Sequence, residues 1–422
     1  MRVWPNQRTG AQPDAEPPAW GGLDEIVVLL VAAAALGHWM SDLPRGSFWG
    51  LWVLLYVAAV ARLVQRFGSQ WLTWTLTHQP ALSVLLTLAF ASCLWSLDPA
   101  LTVRRAASLL GTTLLGVFIG YSCPPPRLMR AFYWMFILLI VASIGVGLVL
   151  PTPVGKGIPV GWRGIMTHKN SLGAAALLAT IYFLVMTLSG HIRPLWGAML
   201  GVASLFALVQ AQSRTSAVAL GFTLVVSAYL AVGWATHRPS RAMLRRMSLG
   251  LVVIVSVVPF LLGPVASVLG NDNPLNGRTF IWDGARTILR ERPITGYGYA
   301  AVWGRSANTL LPHIPVTARG ASTSAHNSIV NVATELGLPA ALVACAYLLA
   351  ALRDAGRLFA QRPSAFSAFA FGFLVAVVLV GFTESLLLRI HAFWILFVAI
   401  TVAVKRSLEA TDDRALDGSP PG

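Results

Sequence analysis

The chain has 422 residues, of which 56% are hydrophobic and only 11% charged, with a mean hydropathy of +0.68 and a formal net charge of +15. A soluble domain holds roughly 45–50% apolar residues even with glycine counted, so this composition excludes an ordinary soluble protein and points to a bilayer. The positive charge alone would suit nucleic acid, but no nucleic-acid module is visible and no such partner is expected. The cations sit at the borders of apolar segments, where topology and anionic membrane lipids account for them.

In chain order, residues 1–24 are polar and Pro-rich without a charged-then-apolar signal pattern, and they read as an uncleaved, disordered cytoplasmic tail. A transmembrane domain follows over 25–404. Its apolar runs are Ile26–Trp39, Phe48–Val64, Ala81–Leu97, Ala106–Tyr121, Ala131–Leu150, Leu172–Leu188, Leu195–Val209, Val218–Ala235, Leu249–Leu269, Ala340–Leu352, Phe366–Val380 and Phe393–Val404. Each approaches the length that crosses about 30 Å of hydrocarbon as a helix, which predicts an all-α polytopic protein of about twelve spans. The alternating polarity of membrane strands does not appear. Residues 405–422 resemble the first tail in composition and read likewise as a disordered cytoplasmic tail.

Orientation follows from Lys and Arg. With both termini cytoplasmic, 17 of the 31 cations fall inside. Six of the remainder lie in the long Gly270–Ala325 segment, and long loops translocate largely regardless of charge, so that loop (270–327) is expected on the outer face. Cys93, Cys123 and Cys345 have unrelated spacings within or beside apolar sequence, which suits packing rather than a disulfide framework or metal site.

Four polar stretches interrupt the apolar rhythm on the expected outer side. In GWRGIMTHKNSLG (161–173), Asn170 or Thr167 can cap the helix that follows. His168 and Lys169 then stand at a helix N-terminus, where a cation opposes the macrodipole at a cost of about 0.3–1 kcal/mol and an anionic ligand would relieve the conflict. A lysine snorkelling to water is the plainer alternative. In QAQSRTSAVALG (210–221), Ser213 can cap a helix that again begins with a cation, Arg214, for which membrane anchoring is the alternative.

The third stretch, GRTFIWDGARTILRERPITGYGY (277–299), predicts an amphipathic helix from Thr279 to Glu291 lying on the membrane surface. Phe280, Ile281, Gly284, Ala285, Ile288 and Leu289 take its apolar face, while Asp283, Arg286, Arg290 and Glu291 take the wet one. Pro293 ends it, and Gly296–Tyr299 makes a turn whose aromatic side chains suit a membrane interface. Arg278 precedes this helix and is a third cation at a helix start. In the fourth, STSAHNSIVNVATELGLPAA (322–341), Ser324 or Asn327 can cap a helix of about ten residues that stops at Leu336–Pro339 and restarts, a broken element. His326 sits at its mouth, where a helix N-terminus favours the neutral imidazole that a general base needs; a structural histidine bonded to a carbonyl is the alternative.

Taken together, Arg163-Gly164, Thr167-His168-Lys169-Asn170, Ser213-Arg214-Thr215, Gly277-Arg278-Thr279 with Trp282 and Pro293–Tyr297, Ala325-His326-Asn327 with Glu335-Leu336-Gly337, and Thr383-Glu384-Ser385 form an ordered set. From Arg163 to Ser385 it resembles the bacterial O-antigen ligase and polysaccharide polymerase superfamily, most closely the exopolysaccharide production polymerases. The resemblance implies a fold of the membrane glycosyltransferase (GT-C-like) type with a large periplasmic loop, in the bacterial inner membrane. It implies a donor glycan on undecaprenyl diphosphate, a glycan or lipid acceptor, a periplasmic active site, and no cofactor or required metal. Chain-length regulators are implied as possible partners beyond the membrane lipids. It also matches Arg214, Arg278 and His326 to the family's functional arginines and histidine, and Lys169 to its THKN-like motif.

The residues suit that chemistry. Planar arginine forks bind phosphate bidentately. Lys169, Arg214 and Arg278, with His168 and Arg163 nearby, would hold the diphosphate, and Arg214 and Arg278 would stabilise charge on the leaving group. The Asp272-Asn273 pair is the nearest approach to an acidic metal motif, and a turn before Pro274 explains it better. His326 would deprotonate the acceptor hydroxyl. Glu384 is the competing base or an orienting partner, and pairing with Arg389 is its structural alternative. Polymerisation of repeat units is expected over transfer to lipid A core. A transporter or flippase of lipid-linked sugars is the reading from a different class, disfavoured because the polar motifs cluster outside the bilayer midplane and no repeat relates the two halves.

Overall fold

The computed structural model describes residues 49–150, 154–155, 158–166, 168–236, 250, 278–303 and 324–416, side chains being described over most of these. Thirteen α-helices occur among them, together with a two-residue antiparallel ladder, Val154–Gly155 with Ile158–Pro159. The helices are α1 (Trp49–Phe67), α2 (Gln70–His78), α3 (Pro80–Ala91), α4 (Pro99–Ser122), α5 (Pro125–Val149), α6 (Lys169–Leu188) and α7 (Pro194–Ala211). They continue as α8 (Arg214–Thr236), α9 (Arg278–Glu291), α10 (Ser328–Leu336), α11 (Leu338–Gln361), α12 (Ala365–Gly381) and α13 (Ala392–Leu416).

Local chemistry sets many of the starts. Proline opens α3, α4, α5 and α7, where its missing N–H is not needed and its fixed φ suits a first helical residue. The Asp98 carboxylate accepts from Leu101 N–H at 3.0 Å ahead of α4. Ser364 and Ser367 form a reciprocal capping box ahead of α12.

Six described helices, α1, α4, α5, α6, α7 and α11, are long and apolar enough to cross a membrane, and the pair α2 and α3, bent by 95°, makes a seventh if it counts as one span. The twelve-span expectation is therefore matched only in part. Ile26–Trp39 and, Gly250 apart, Leu249–Leu269 lie outside the described residues, as do the first expected tail (1–24) and the end of the second beyond Leu416. Val218–Ala235 and Phe366–Val380 correspond to α8, of which Arg214–Val225 registers as a short apolar helix, and to α12. The final expected span begins a helix that continues to Leu416, past the boundary placed at Lys405. Lys405 helps hold that extension, because its ammonium donates to the buried Asp354 carboxylate at 2.9 Å.

Helix α6 lies at the centre of the bundle: 72% of its apolar window is buried, against 17% for α1. Phe132, Phe136, Tyr182 and Phe369 meet around it with ring centroids 5.2–6.3 Å apart. Small residues let α4 and α13 approach closely, since a Cβ at Gly116 would strike Val398 and one at Gly120 would strike Val402. Helix α12 adds Phe369, Phe373 and Val377 to a core that is mainly apolar, with buried hydroxyls such as Thr113 and Thr180 bonded within it.

Segments expected outside gather at one end. Leu97 N–H donates to Tyr297 O at 3.0 Å, Trp162 N–H to Gln210 O at 2.8 Å, and Gly298 N–H to Glu335 O at 2.9 Å. Segments expected inside gather at the other. Trp74 Nε1 donates to Glu409 Oε2 at 2.7 Å and His78 Nε2 lies 3.2 Å from Glu409 Oε1. Cation and acid contacts there also tie α11 to α13.

Candidate active site

The polar end of the bundle is organised around Glu384, in the turn that follows α12. Its Oε1 accepts from Arg278 at 2.9 Å and from Asn170 Nδ2 at 2.6 Å, while its Oε2 lies 3.5 Å from His326 Nδ1. The Arg278 and Glu384 side chains are only 13% and 19% exposed, which sets this pair apart from a solvated surface contact. Burial alone would raise the Glu384 pKa, but the bond from His326, its charge, Arg278 and Asn170 outweigh burial and hold the carboxyl below its ordinary value of 4.5.

Three elements are stitched together around that carboxylate. The stretch Ser324–Ser328 and the turn 382–386 exchange four bonds: Asn327 Nδ2 to Phe382 O at 3.1 Å, Ser328 Oγ to Glu384 O at 3.0 Å, Leu386 N–H to Ser328 Oγ at 2.9 Å, and Ser385 Oγ to Asn327 O at 3.4 Å. Asn327 also caps α10, its Oδ1 accepting from Ile329 and Val330 N–H at 2.9 Å. His326 has φ +48°, a left-handed conformation that costs a non-glycine residue of order 1–3 kcal/mol. The neighbouring bonds hold it there: Ala325 N–H to Asn331 Oδ1 at 3.0 Å, and Trp282 Nε1 to Ala325 O at 3.0 Å. The imidazole is thereby aimed at Glu384.

Of the three helix-start cations, Arg278 touches this turn directly, while Lys169 and Arg214 each begin a helix whose next residue bonds to it. Lys169 opens α6 next to Asn170, which itself donates to Glu384. Arg214 opens α8 and is exposed; its neighbour Thr215 accepts from Thr383 Oγ1 at 2.8 Å, one residue from Glu384. Arg278 opens α9 and is in direct contact. Arg163 lies exposed in the Gly161–Met166 connection, which packs on α5 through Ile165 N–H and Ser143 Oγ at 3.4 Å.

Several expectations need correction. The cap of α6 is His168, whose Nδ1 accepts from Asn170 N–H at 3.2 Å, and not Asn170, which is turned to Glu384 instead; Thr167 lies outside the described residues. Accepting that bond requires a neutral ring, and desolvation lowers the His168 pKa, Glu384 opposing and His326, Lys169 and Arg278 reinforcing. Glu384 does not pair with Arg389; that arginine contacts Glu335 Oε1 at 3.5 Å through NH1.

Helix α9 lays its apolar face on protein. Trp282, Ala285 and Ile288 are buried against Tyr297, Val302, Trp303 and Val330, in a satellite core that joins α9 to α10. The Tyr297 and Tyr299 rings are buried too, because their hydroxyls find protein acceptors, Glu291 Oε2 at 2.5 Å and Leu388 O at 2.6 Å. Burial and, for Tyr297, the Glu291 bond push both phenol pKa values up. Among the other arginines of this stretch, Arg286 pairs with Asp283 at 3.2 Å, Arg290 is exposed, and Arg292 lies over Tyr297 at 4.8 Å. The broken element is as expected: α10 is nine residues long, and Gly337, at φ +89°, joins it to α11.

Beside Glu384 opens a cavity of ≈ 200 Å³ with a polar mouth of Asn170, Ser171, Ser324, Ser385, Arg389 and His391. Its floor is apolar, formed by Met135, Phe136 and Leu139 of α5, Ala175 and Leu178 of α6, and Leu396 of α13. Motif reasoning missed the partnership of Asn170 with Glu384 and the contribution of Ser328 and Asn331. A usable signal existed for Glu335, the one ionisable residue of the nine-residue helix SIVNVATEL.

Residues 199–345 match the family model described as O-Antigen ligase, a window that holds Arg214, Arg278 and His326 but neither Lys169 nor Glu384. The chain is also similar to the Exopolysaccharide production protein ExoQ of Rhizobium meliloti (strain 1021), 24% identical over 307 residues, covering 69% of this chain and 66% of that relative. The similarity thus spans just under two thirds of the relative's own length.

Proposed function

We propose that this chain, whose kinship with the O-antigen ligase and polysaccharide polymerase superfamily both comparisons support, is a membrane glycosyltransferase drawing on an undecaprenyl-diphosphate-linked donor at the periplasmic face of the inner membrane. The observation that carries the reading is the arrangement of Arg278 and His326 on Glu384, a carboxylate that lines a cavity with a polar rim and an apolar floor. An amphiphilic donor with an anionic headgroup matches that polarity.

In this scheme His326 acts as the general base. With Nδ1 turned to the Glu384 carboxylate, the tautomer that donates from Nδ1 leaves the Nε2 lone pair for the acceptor hydroxyl. The acceptor oxygen forms its bond to the anomeric carbon as the bond from that carbon to the diphosphate oxygen breaks, the proton passes to Nε2, and a single displacement inverts the anomeric centre. Glu384 positions the imidazole and stabilises the imidazolium that forms; it is not itself the base. Charge accumulating on the departing diphosphate is met by Arg278, with Lys169 and Arg214 at neighbouring helix starts. No cofactor enters this scheme.

Polymerisation of repeat units is the favoured reaction, on the similarity to an exopolysaccharide production protein. Transfer of glycan to lipid A core by a ligase is the second reading, since the matching family model carries the ligase description. Glycans isolated from a deletion strain separate the two: single repeat units still joined to their acceptor indicate a polymerase, and loss of all attachment indicates a ligase.

A further inference from the structure

Glu335 is a buried acid, its side chain 2% exposed, and no step of the proposed transfer uses it. Burying a carboxylate is costly unless its oxygens are met, so the groups that address it show what it serves. Three do: the Ala300 N–H, the side-chain amide of Asn331 one turn earlier in α10, and Arg389 NH1 at 3.5 Å. All three are donors, which is the setting an ionised carboxylate satisfies. Burial raises the Glu335 pKa, and Arg389, the Ala300 N–H and Asn331 oppose that rise.

The Asn331 amide carries this arrangement toward His326. A carboxylate only accepts, so Asn331 turns its Nδ2 end to Glu335 and leaves Oδ1 for another partner. That oxygen accepts from Ala325 N–H at 3.0 Å. The Ala325 carbonyl is held in turn by Trp282 Nε1 at 3.0 Å, and the next residue is His326, at φ +48° with Nδ1 3.5 Å from Glu384. Asn331 is 1% exposed, so both ends of its amide are committed to protein rather than solvent.

We infer, on the base reading of His326 above, that Glu335 is a positioning residue for that histidine, acting through the orientation of the Asn331 amide. The buried carboxylate sets which end of Asn331 faces Ala325, and that bond keeps the backbone in the conformation that aims the imidazole at Glu384. Glu335→Gln leaves one acceptor oxygen and adds an NH2 group, so at least one of the three donors then faces another donor. Arg389 is charged and the Ala300 N–H is fixed by the backbone, so the neutral Asn331 amide yields and Ala325 N–H loses its acceptor.

The test compares Glu335→Gln, Asn331→Ala and His326→Ala, singly and combined, as the purified full chain in nanodiscs, with thermal melts alongside so that turnover is read per folded molecule. A misplacement of about 1 Å costs on the order of 100-fold, so each of the first two variants is expected to lower kcat by about 10- to 100-fold. The KM for an undecaprenyl-diphosphate-linked oligosaccharide should stay within about threefold, because donor binding does not pass through the imidazole. In the His326→Ala background neither variant should lower the remaining turnover further, whereas a purely structural loss would lower it equally in both backgrounds. Histidine nitrogen NMR spectra read the same point without the reaction, and they alone decide if that background turns over too slowly to measure. At a pH where the ring is neutral, the His326 signals, identified by their loss in His326→Ala, should show one tautomer protonated at Nδ1 in wild type and a mixture in Glu335→Gln and Asn331→Ala. Folded variants that keep the wild-type kcat and the single tautomer overturn the inference, as does an equal loss in both backgrounds. Full turnover by His326→Ala, with a tautomer that still depends on Glu335, removes the base reading and leaves the positioning role standing.

Discussion

At the scale of single residues, Glu384 is the centre of the account, because Arg278, Asn170 and His326 all address its two oxygens. Breaking a buried pair by removing one partner costs about 3–5 kcal/mol, against about 0–1 kcal/mol for a surface pair, and this pair lies between those limits. Its pH dependence has a definite sign. A carboxyl whose folded pKa is lowered contributes stability that is present in full above its ordinary value of 4.5 and is lost as pH falls through the lower folded value. Thermal melts of wild type and Glu384→Gln should therefore differ most above pH 4.5 and converge on acidification; a gap that widens toward acid contradicts the pairing. His326→Ala should reduce transfer by about 100- to 10,000-fold, the span of general base catalysis, while leaving donor affinity within a few-fold. The sequence alone could nominate His326 and Glu384, but it could not rank them as base and brace. Naming His326 as base and Glu384 as brace is part of the proposal; it draws on the distance between Nδ1 and Oε2 and the left-handed backbone of His326, neither of which has a local signature.

At the scale of elements, the helix starts were legible and their docking was not. Cations at the first positions of α6, α8 and α9 could be placed from caps and periodicity. The periodicity of α9 announced an apolar face but not what covers it, since membrane surface and protein present the same demand. Trp282 decides the matter: its ring is fully buried and its Nε1 is bonded to Ala325 O, next to His326. Trp282→Ala should cost about 3–5 kcal/mol, as large aromatic truncations do, and release α9 from α10. Hydrogen exchange should accelerate over 278–291, and activity should fall with it although residue 282 touches no cation of the site. Unchanged exchange would mean that α9 is held elsewhere. Gly337 makes a similar case, because its φ of +89° lets α10 turn into α11 where Leu338 N–H meets Pro293 O at 2.7 Å. Gly337→Ala should cost at least about 1 kcal/mol through strain in that conformation. A melt indistinguishable from wild type contradicts this reading of the joint.

At the scale of the whole molecule, two polar ends are separated by an apolar bundle, and the described connections alternate between them. The ends were legible because an apolar run that crosses reverses the chain, so counting runs sorts the described connections at one end or the other. The number of spans was less so: α2, an inner helix bent 95° from α3, and the extension of α13 to Leu416 lie where loop and tail were expected. Both are anchored by long-range contacts, Trp74 and His78 to Glu409 and Lys405 to Asp354, that no window of sequence contains. In a background lacking Cys93, Cys123 and Cys345, cysteines at Asp98 and Arg290 should react with an impermeant maleimide from the periplasm. Cysteines at Gly190 and Arg362 should react only after the inner membrane is opened; labelling of all four from one side would overturn the alternation. The central claim is tested most directly by incubating purified protein with an undecaprenyl-diphosphate-linked oligosaccharide and its acceptor and measuring new glycosidic product. The account predicts product that wild type makes and that Arg278→Ala and His326→Ala each abolish or reduce at least about 100-fold. No product from folded wild type, or undiminished product from both variants, would contradict it.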